Sequence, residues 1–374
     1  MDARLPRDIH QAVVELADAG RRFAVAVVLA DEGSTPCGAG AKAIVGEQGL
    51  LLGTIGGGVV EAEALRRASE ALGSRTPVVF DFALKGDAAA AAAPICGGAM
   101  RVLVDPTAAA HRAAYAAAAA ALRCRRPGVL ITELRHAPGA EVKVKIDVEV
   151  AVRFRGEDTL ADDATLPSAE SLRSILAREQ TVLLVCEAVG ETPRREILVE
   201  PILPKPVLLI VGGGHVGQAV ARQADAVGFE IVVIDDRPEF TAAELFPAAA
   251  VTRCGAIDAE VARFPMAGDT YVVIVTRGHR QDAGALAACL GRPAAYLGMI
   301  GSRRKVALMR EALVDSGRFP AAEFDRVHAP IGLDLGAVTV PEIAVSIVSQ
   351  LIAVRRRVSS RRICPGRPVE GRSA

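Results

Sequence analysis

The sequence predicts an α/β protein, with an N-terminal α/β region followed by a C-terminal Rossmann-like, doubly wound parallel sheet. Three observations predict it. Val207-Leu208-Leu209-Ile210-Val211 is an unbroken apolar run, the pattern of a strand covered on both faces. It leads directly into Gly212-Gly213-Gly214-His215-Val216-Gly217, which fits G-x-G-x-x-G, and then into a helical stretch reaching about residue 227. Further apolar strands at residues 230–234, 271–275 and 294–300 alternate with helical stretches, as βαβ units do.

The N-terminal region is read in order. Residues 7–20 carry Ile9, Val13, Leu16 and Ala17 at helical spacing. Residues 23–29 form a β-rich run that ends at the turn cluster Gly33-Ser34-Thr35-Pro36. The apolar run 50–52 passes through Gly53-Thr54-Ile55 into Gly56-Gly57-Gly58, and a helix follows over 59–72. Strands are expected at 78–82 and 100–104, with Cys96-Gly97-Gly98 between them. Residues 107–123 are an Ala-rich helix candidate, and 128–202 read as mixed strands with one helix at 168–178. Pro201, Pro204 and Pro206 punctuate a linker, and a terminal helix spans 341–354 with its Pro at the start, where Pro is tolerated. The expected domains are 1–105, an extension or linker at 106–205, and 206–374.

Composition narrows the function classes. The chain has 374 residues, 51% of them apolar, so it can build real cores without staples. Lys plus Arg and Asp plus Glu number 44 each, and aromatic residues are only 3% with no Trp. That balance argues against a nucleic-acid binder, which shows a basic excess and stacking rings. The seven Cys are widely spaced without a C-x-x-C, which argues against a disulfide framework or zinc ribbon. The N-terminus lacks signal-peptide architecture and no early apolar run is long enough to span a bilayer, so the expectation is a cytoplasmic protein with no membrane partner.

The strand ends carry the chemistry. In the glycine motif, Gly212 suits the tight turn, Gly214 lets a ligand approach the backbone, and Gly217 lets helix and strand pack. The helix N-terminus beginning at His215 offers N–H groups to an anion. Asp235 stands where a ribose-binding acid would sit, so NAD(P) binding is one reading, and a glycine turn serving packing alone is another. Thr276-Arg277-Gly278-His279-Arg280-Gln281-Asp282 and Gly301-Ser302-Arg303-Arg304-Lys305 follow the later strands. Ligands of open α/β sheets bind at those ends, so Arg277, His279, Ser302, Arg303 and Lys305 could form a phosphate-binding crevice; the alternative is a solvated rim. His279 with Asp282 is the one acid–base pair an oxidoreductase could use. In the N-terminal half, Gly56, Gly57 and Gly58 before a helix bearing Glu61 form either an anion cradle or a plain turn. Cys96 beside two glycines, and Cys37 in a turn, are the accessible thiols; a thiolate there suits a soft metal or sulfur, and an inert structural Cys is the alternative.

Taken together, these strings resemble the XdhC/CoxI family. The matching residues are Gly33 to Pro36, Gly53 to Gly58 with Glu61, Cys96 to Gly98, and the glycine motif from Gly212 to Gly217. They continue with Asp235 to Phe240, Thr276 to His279, Gly298 to Lys305 and Ala329 to Asp334. The resemblance implies a molybdenum cofactor-binding chaperone and insertase rather than a turnover enzyme. Its partners would be a cysteine desulfurase that sulfurates the cofactor and a molybdenum hydroxylase client of the xanthine, aldehyde or carbon monoxide dehydrogenase type. It places cofactor at the glycine motifs, Glu61, Asp235 and the Arg-rich strand ends, with Cys96 near molybdenum. The chain departs from the family pattern at Val59, where a Cys often follows the triple glycine, and at Cys37, where a basic residue is common. Cys96 would then act alone, or Cys37 would substitute. An NAD(P)-dependent oxidoreductase is the alternative, a nucleotide sensor a third reading, and homo-oligomerisation is left open.

Overall fold

The computed structural model of the chain describes residues 5, 8–83, 98–136, 146–163, 165–187, 194–246 and 249–356. It divides into two compact units, Met1–Pro204 and Lys205–Ala374.

The first unit runs through α1 (Ile9–Asp18), β1 (Phe23–Glu32), β2 (Lys42–Gly46), β3 (Gly49–Gly53), α2 (Gly58–Ser74), β4 (Val78–Ala83) and β5 (Ala99–Asp105). It continues with α3 (Arg112–Arg123), β6 (Gly128–His136), β7 (Ile146–Gly156), α4 (Ala169–Arg178), β8 (Val182–Cys186) and β9 (Arg195–Ile202). The strands make one nine-stranded sheet in the order β3-β2-β1-β5-β4-β7-β6-β9-β8. Residues 106–205 thus add four strands to the sheet begun by the first five rather than standing apart from it. Pro201 lies inside β9, opposite Val129.

Both faces of this sheet are covered, which explains why β1 reads as an apolar run. Val25, Val27 and Leu29 pack with Ala12, Val13 and Leu16 of α1 and with Tyr115 and Ala118 of α3. Ala24, Ala26 and Val28 face the other way, toward Val60, Ala64 and Ala68 of α2. Helix α4 covers Val129, Ile131, Ile197 and Val199 through Leu172, Ile175 and Leu176. Each fully buried Val or Leu contributes about 1.5–3 kcal/mol relative to exposure. At the end of β5 an acid, Asp105, is buried with a hydroxyl and an N–H for partners. It accepts from the Thr107 N–H (2.7 Å) and hydroxyl (2.5 Å). Desolvation outweighs those bonds and raises its pKa above the ordinary carboxylate value.

The second unit contains β10 (Val207–Val211), α5 (His215–Ala226), β11 (Glu230–Asp235), β12 (Ala249–Cys254), α6 (Ile257–Arg263), β13 (Thr270–Ile274) and α7 (His279–Cys289). After these come β14 (Tyr296–Met299), α8 (Arg303–Arg310), α9 (Ala321–Asp325) and α10 (Val340–Arg355). Its five strands lie in the order β12-β11-β10-β13-β14, and each described pairing is parallel. This is the doubly wound Rossmann-like sheet expected from the sequence. Alternate residues of β10 serve alternate faces. Leu209 and Val211 join Val261, Ala285 and Leu286 of α6 and α7, whereas Leu208 and Ile210 join Val220, Ala224, Ile347 and Leu351 of α5 and α10. Helix α10 starts at a capping box, in which Thr339 accepts from the Glu342 N–H while the Glu342 carboxylate accepts from the Thr339 N–H. Among the described residues, no helix is long and apolar enough to cross a membrane.

Candidate functional site

Parallel strands in register bring their carboxyl ends to one edge. Val211 of β10 pairs with Ile234 of β11 on one side and Ile274 of β13 on the other, so the chain leaves the sheet in opposite directions around β10. That switch point is where open α/β sheets bind ligands.

The glycine loop sits there, and its glycines differ in duty. Gly212 has φ +116°, and a Cβ on it would lie 2.5 Å from the Val275 carbonyl oxygen. A Cβ on Gly217 would fall 2.0 Å from the Gly212 carbonyl oxygen, so helix α5 and the loop touch backbone to backbone. Gly214, which caps α5, would meet nothing within 4 Å and is the member open to a ligand. His215 follows it, exposed, in the first turn.

Asp235 is not free for a ribose. It is 1% exposed, and its Oδ2 accepts from the Gly213 N–H (2.8 Å) and from Arg237 Nη2 (3.1 Å). Its Oδ1 accepts from the Arg237 N–H (3.0 Å) and Nε (2.9 Å). Burial alone would raise the Asp235 pKa, but the bonds from Arg237 and Gly213 outweigh it and hold the carboxyl below its ordinary value. The Arg237 guanidinium lies 3.8 Å over the Phe240 ring, and the Phe240 carbonyl oxygen would be 2.1 Å from a Cβ on Gly213. Next along, Asp236 accepts from Arg277 Nη2 (3.0 Å) and Gln281 Nε2 (2.6 Å), tying the end of β11 to the end of β13.

The expected His279–Asp282 pair does not form. Asp282 is fully buried in the first turn of α7 and accepts from the Thr276 hydroxyl (2.5 Å) and from the Lys305 ammonium. Lys305 also donates to the Ile300 carbonyl (3.1 Å). The acid is therefore satisfied by a hydroxyl and a cation, while His279 stays exposed at the start of the helix. Lys305 is correspondingly an internal tie rather than a free phosphate ligand. Ser302 caps α8 by accepting from the Lys305 N–H (3.3 Å), and Arg303 and Arg304 remain exposed beside it. A cavity of about 660 Å³ opens at this end of β14, lined among others by Gly301, Ser302, Arg303, Gly332, Asp334 and Ser346.

In the first unit, three motif loops converge. A Cβ on Gly56 would lie 2.4 Å from Pro36 Cγ, and one on Gly98 would lie 2.5 Å from the Ser34 carbonyl oxygen. Gly56, Gly57 and Gly58 all have positive φ, and Gly57 and Gly58 face open space. The triple-glycine loop already holds an anion of its own. Glu61 Oε2 accepts from the Thr54 hydroxyl (2.6 Å), the Ile55 N–H (3.3 Å) and the Gly57 N–H (3.4 Å). Glu61 is thus a loop-fixing residue here. Cys37 is a free, half-buried thiol packed against the α2-side core. Cys96 lies outside the described residues. Among the described residues, no group of three or more His, Cys, Asp or Glu could hold a metal ion.

Sequence reasoning missed Arg237 and Thr54 as partners of the two loop carboxylates and Thr276 and Lys305 as partners of Asp282. A signal existed only for the first, since Asp235 and Arg237 are two residues apart and can share one turn.

Two family models match the chain in order: the XdhC and CoxI family over residues 16–83 and the XdhC Rossmann domain over residues 208–351. The uncharacterized protein YqeB of Escherichia coli K12 is 26% identical over 349 residues, covering 93% of this chain but 46% of its own, so the chain spans about half of its length. A probable xanthine dehydrogenase subunit of Bacillus subtilis 168 is 24% identical over 358 residues, covering 94% of this chain and 99% of its own. The crystal structure of a xanthine dehydrogenase from Bacillus halodurans superposes with a TM-score of 0.69 at 22% identity, covering 93% of this chain and 97% of that one, and shows the shared fold. The XdhC and CoxI model and the XdhC Rossmann-domain model together match more than half of the chain, and the chain belongs to the XdhC and CoxI family.

Proposed function

We propose that this chain is an accessory factor that holds molybdenum cofactor for sulfuration by a cysteine desulfurase and for delivery to a xanthine dehydrogenase-type molybdenum hydroxylase in the cytoplasm. Family membership and the name of the Bacillus subtilis relative support the xanthine dehydrogenase connection. The observation that carries the ligand assignment is the exposed Ser302-Arg303 pair at the N-terminus of α8, opening on a cavity of about 660 Å³. That volume lies within the usual range for small-molecule sites, roughly 300–1,000 Å³. A hydroxyl, a guanidinium and a helix N-terminus are donors that suit a phosphate.

In this reading Arg303 and Ser302 hold the phosphate, and Gly214 with the α5 N-terminus lines the neighbouring crevice. In the first unit, taken by itself, the Cys96 or Cys37 thiol would offer a thiolate, a fitting soft ligand for a molybdenum centre. Asp282 and Lys305 keep the two strand-end loops in place without touching the ligand.

The test is the molybdenum and pterin content of the full chain purified from cells with intact cofactor synthesis. Wild-type protein is expected to retain both, and Arg303→Ala to bind at least about tenfold more weakly, the effect of one hydrogen bond to a charged group. Absence of pterin from the wild type, or equal loading of the variant, overturns the assignment. Cys96→Ser and Cys37→Ser, assayed for client activation, locate the thiol.

A further inference from the structure

The Asp235–Arg237–Phe240 cluster occupies the place on a Rossmann sheet where a dinucleotide's ribose is read, and it is closed from within. In a dinucleotide site the acid at the end of the second strand accepts from ribose hydroxyls. Here that acid accepts four hydrogen bonds from its own chain, two on each oxygen. It is 1% exposed, so a hydroxyl could reach it only after the guanidinium had left. The guanidinium is held a second time by stacking at 3.8 Å on Phe240. It also lies 3.7 Å from Asp236, which is itself anchored to Arg277 and Gln281 across the switch point. The Phe240 carbonyl closes over Gly213, the residue whose N–H the acid uses.

We infer that Arg237 is a specificity-determining residue, an internal guanidinium that takes the place of a ribose on Asp235 and bars adenosine-type ribosides from the glycine-loop crevice. The glycine loop survives because Gly212 and Gly217 are needed for packing, and Gly214 stays open for a ligand that does not present a ribose to Asp235. The bar acts on one half of the edge only. The cavity beside Arg303, at the end of β14, is left free for phosphate-bearing ligands of another shape. This inference goes beyond the cofactor assignment and does not require it.

The experiment measures ADP-ribose and NAD binding to the full chain by calorimetry and ligand-observed NMR. The proteins are wild type, Arg237→Met, Arg237→Gln and the double variant Asp235→Asn with Arg237→Met. Methionine keeps the contact with Phe240 while freeing one acceptor position on each carboxylate oxygen, the Gly213 and residue-237 backbone N–H bonds remaining; glutamine is the milder change should methionine perturb folding, which circular dichroism and thermal unfolding report. Either single variant should bind ADP-ribose at least about tenfold more tightly than wild type, the gain from one hydrogen bond between a hydroxyl and a charged group. The double variant should lose that gain, because the carboxylate that reads the ribose is gone. Wild-type binding as tight as that of the single variants, folded single variants with no gain, or a gain that persists in the double variant would each overturn the inference.

Discussion

The two glycine loops look alike in sequence and are pinned alike, yet they are neutralised differently. Each precedes a helix, and in each a carboxylate of the same chain accepts a glycine N–H: Glu61 from Gly57, and Asp235 from Gly213. Glu61 is only half-buried, and its donors are a hydroxyl and backbone N–H groups. Asp235 is buried and carries an arginine on both of its oxygens. A glycine-rich loop before a helix therefore does not announce a foreign anion. What it holds depends on which side chain of the chain reaches it first, and how firmly depends on whether that side chain brings a counter-charge.

The largest expected effect tests the claim that some of these glycines serve packing alone. Gly217→Ala should cost about 3 kcal/mol or more, since its methyl would press into a backbone oxygen that cannot move aside cheaply. Urea unfolding of the full chain measures it, and a cost below about 1 kcal/mol would break the argument.

Next come the two carboxylates. Asp235→Ala strands a partly buried guanidinium and a buried N–H and should cost roughly 2–3 kcal/mol at neutral pH. Glu61→Ala removes a half-exposed acceptor and should cost about 1 kcal/mol. The sign with pH follows from the lowered pKa of Asp235. Its contribution is present above the unfolded carboxyl value and is lost as pH falls through the folded value, so the two chains should converge in strong acid. Equal costs at neutral pH for the two substitutions would erase the contrast between the loops.

Asp105 sharpens the same contrast, as a buried acid whose hydrogen bonds come from Thr107. Its folded pKa is raised, so ionisation on going to neutral pH works against the fold. Asp105→Asn keeps an acceptor for Thr107 and should raise the melting temperature at pH 7, with the gain disappearing below the unfolded carboxyl pKa. A lower melting temperature at pH 7 would mean that the ionised form is held by the fold after all.

The smallest effect on stability belongs to Gly214→Ala, which meets no neighbouring atom and should cost less than about 1 kcal/mol. If the crevice beside α5 is where a ligand approaches, this substitution should weaken pterin retention out of proportion to its effect on unfolding.

Much of the fold could be read directly. A five-residue apolar strand running into glycines and a helix is a pattern with one common solution, and β10 with α5 follow it. Strands β2 and β12 were not legible. β2 offers only Ala43-Ile44-Val45 as an apolar run, between Lys42 and Gly46, and β12 carries Thr252 and Arg253 among its apolar residues, which breaks the run a buried strand usually shows. The nine-stranded continuity of the first unit was hidden for another reason: β4 meets β7 across more than sixty residues of sequence, and only tertiary pairing reveals it. At the site, the sequence gathers the charged residues at the strand ends but does not say how they pair. Asp282 chooses Lys305, twenty-three residues away, over His279, three residues away, because a buried carboxylate gains more from a cation than from a surface imidazole. Position in the chain carried no trace of that choice.

The tie between Asp282 and Lys305 also bears on the entropy of recognition. It joins the first turn of α7, after β13, to the first turn of α8, after β14, through an ion pair whose carboxylate is buried, and Lys305 reaches back to the carbonyl of Ile300 as well. The loops on either side of this part of the crevice are thus immobilised relative to each other before any ligand arrives. A partner that binds there does not have to freeze them, so less of its interaction energy is consumed by ordering the protein and more remains as affinity.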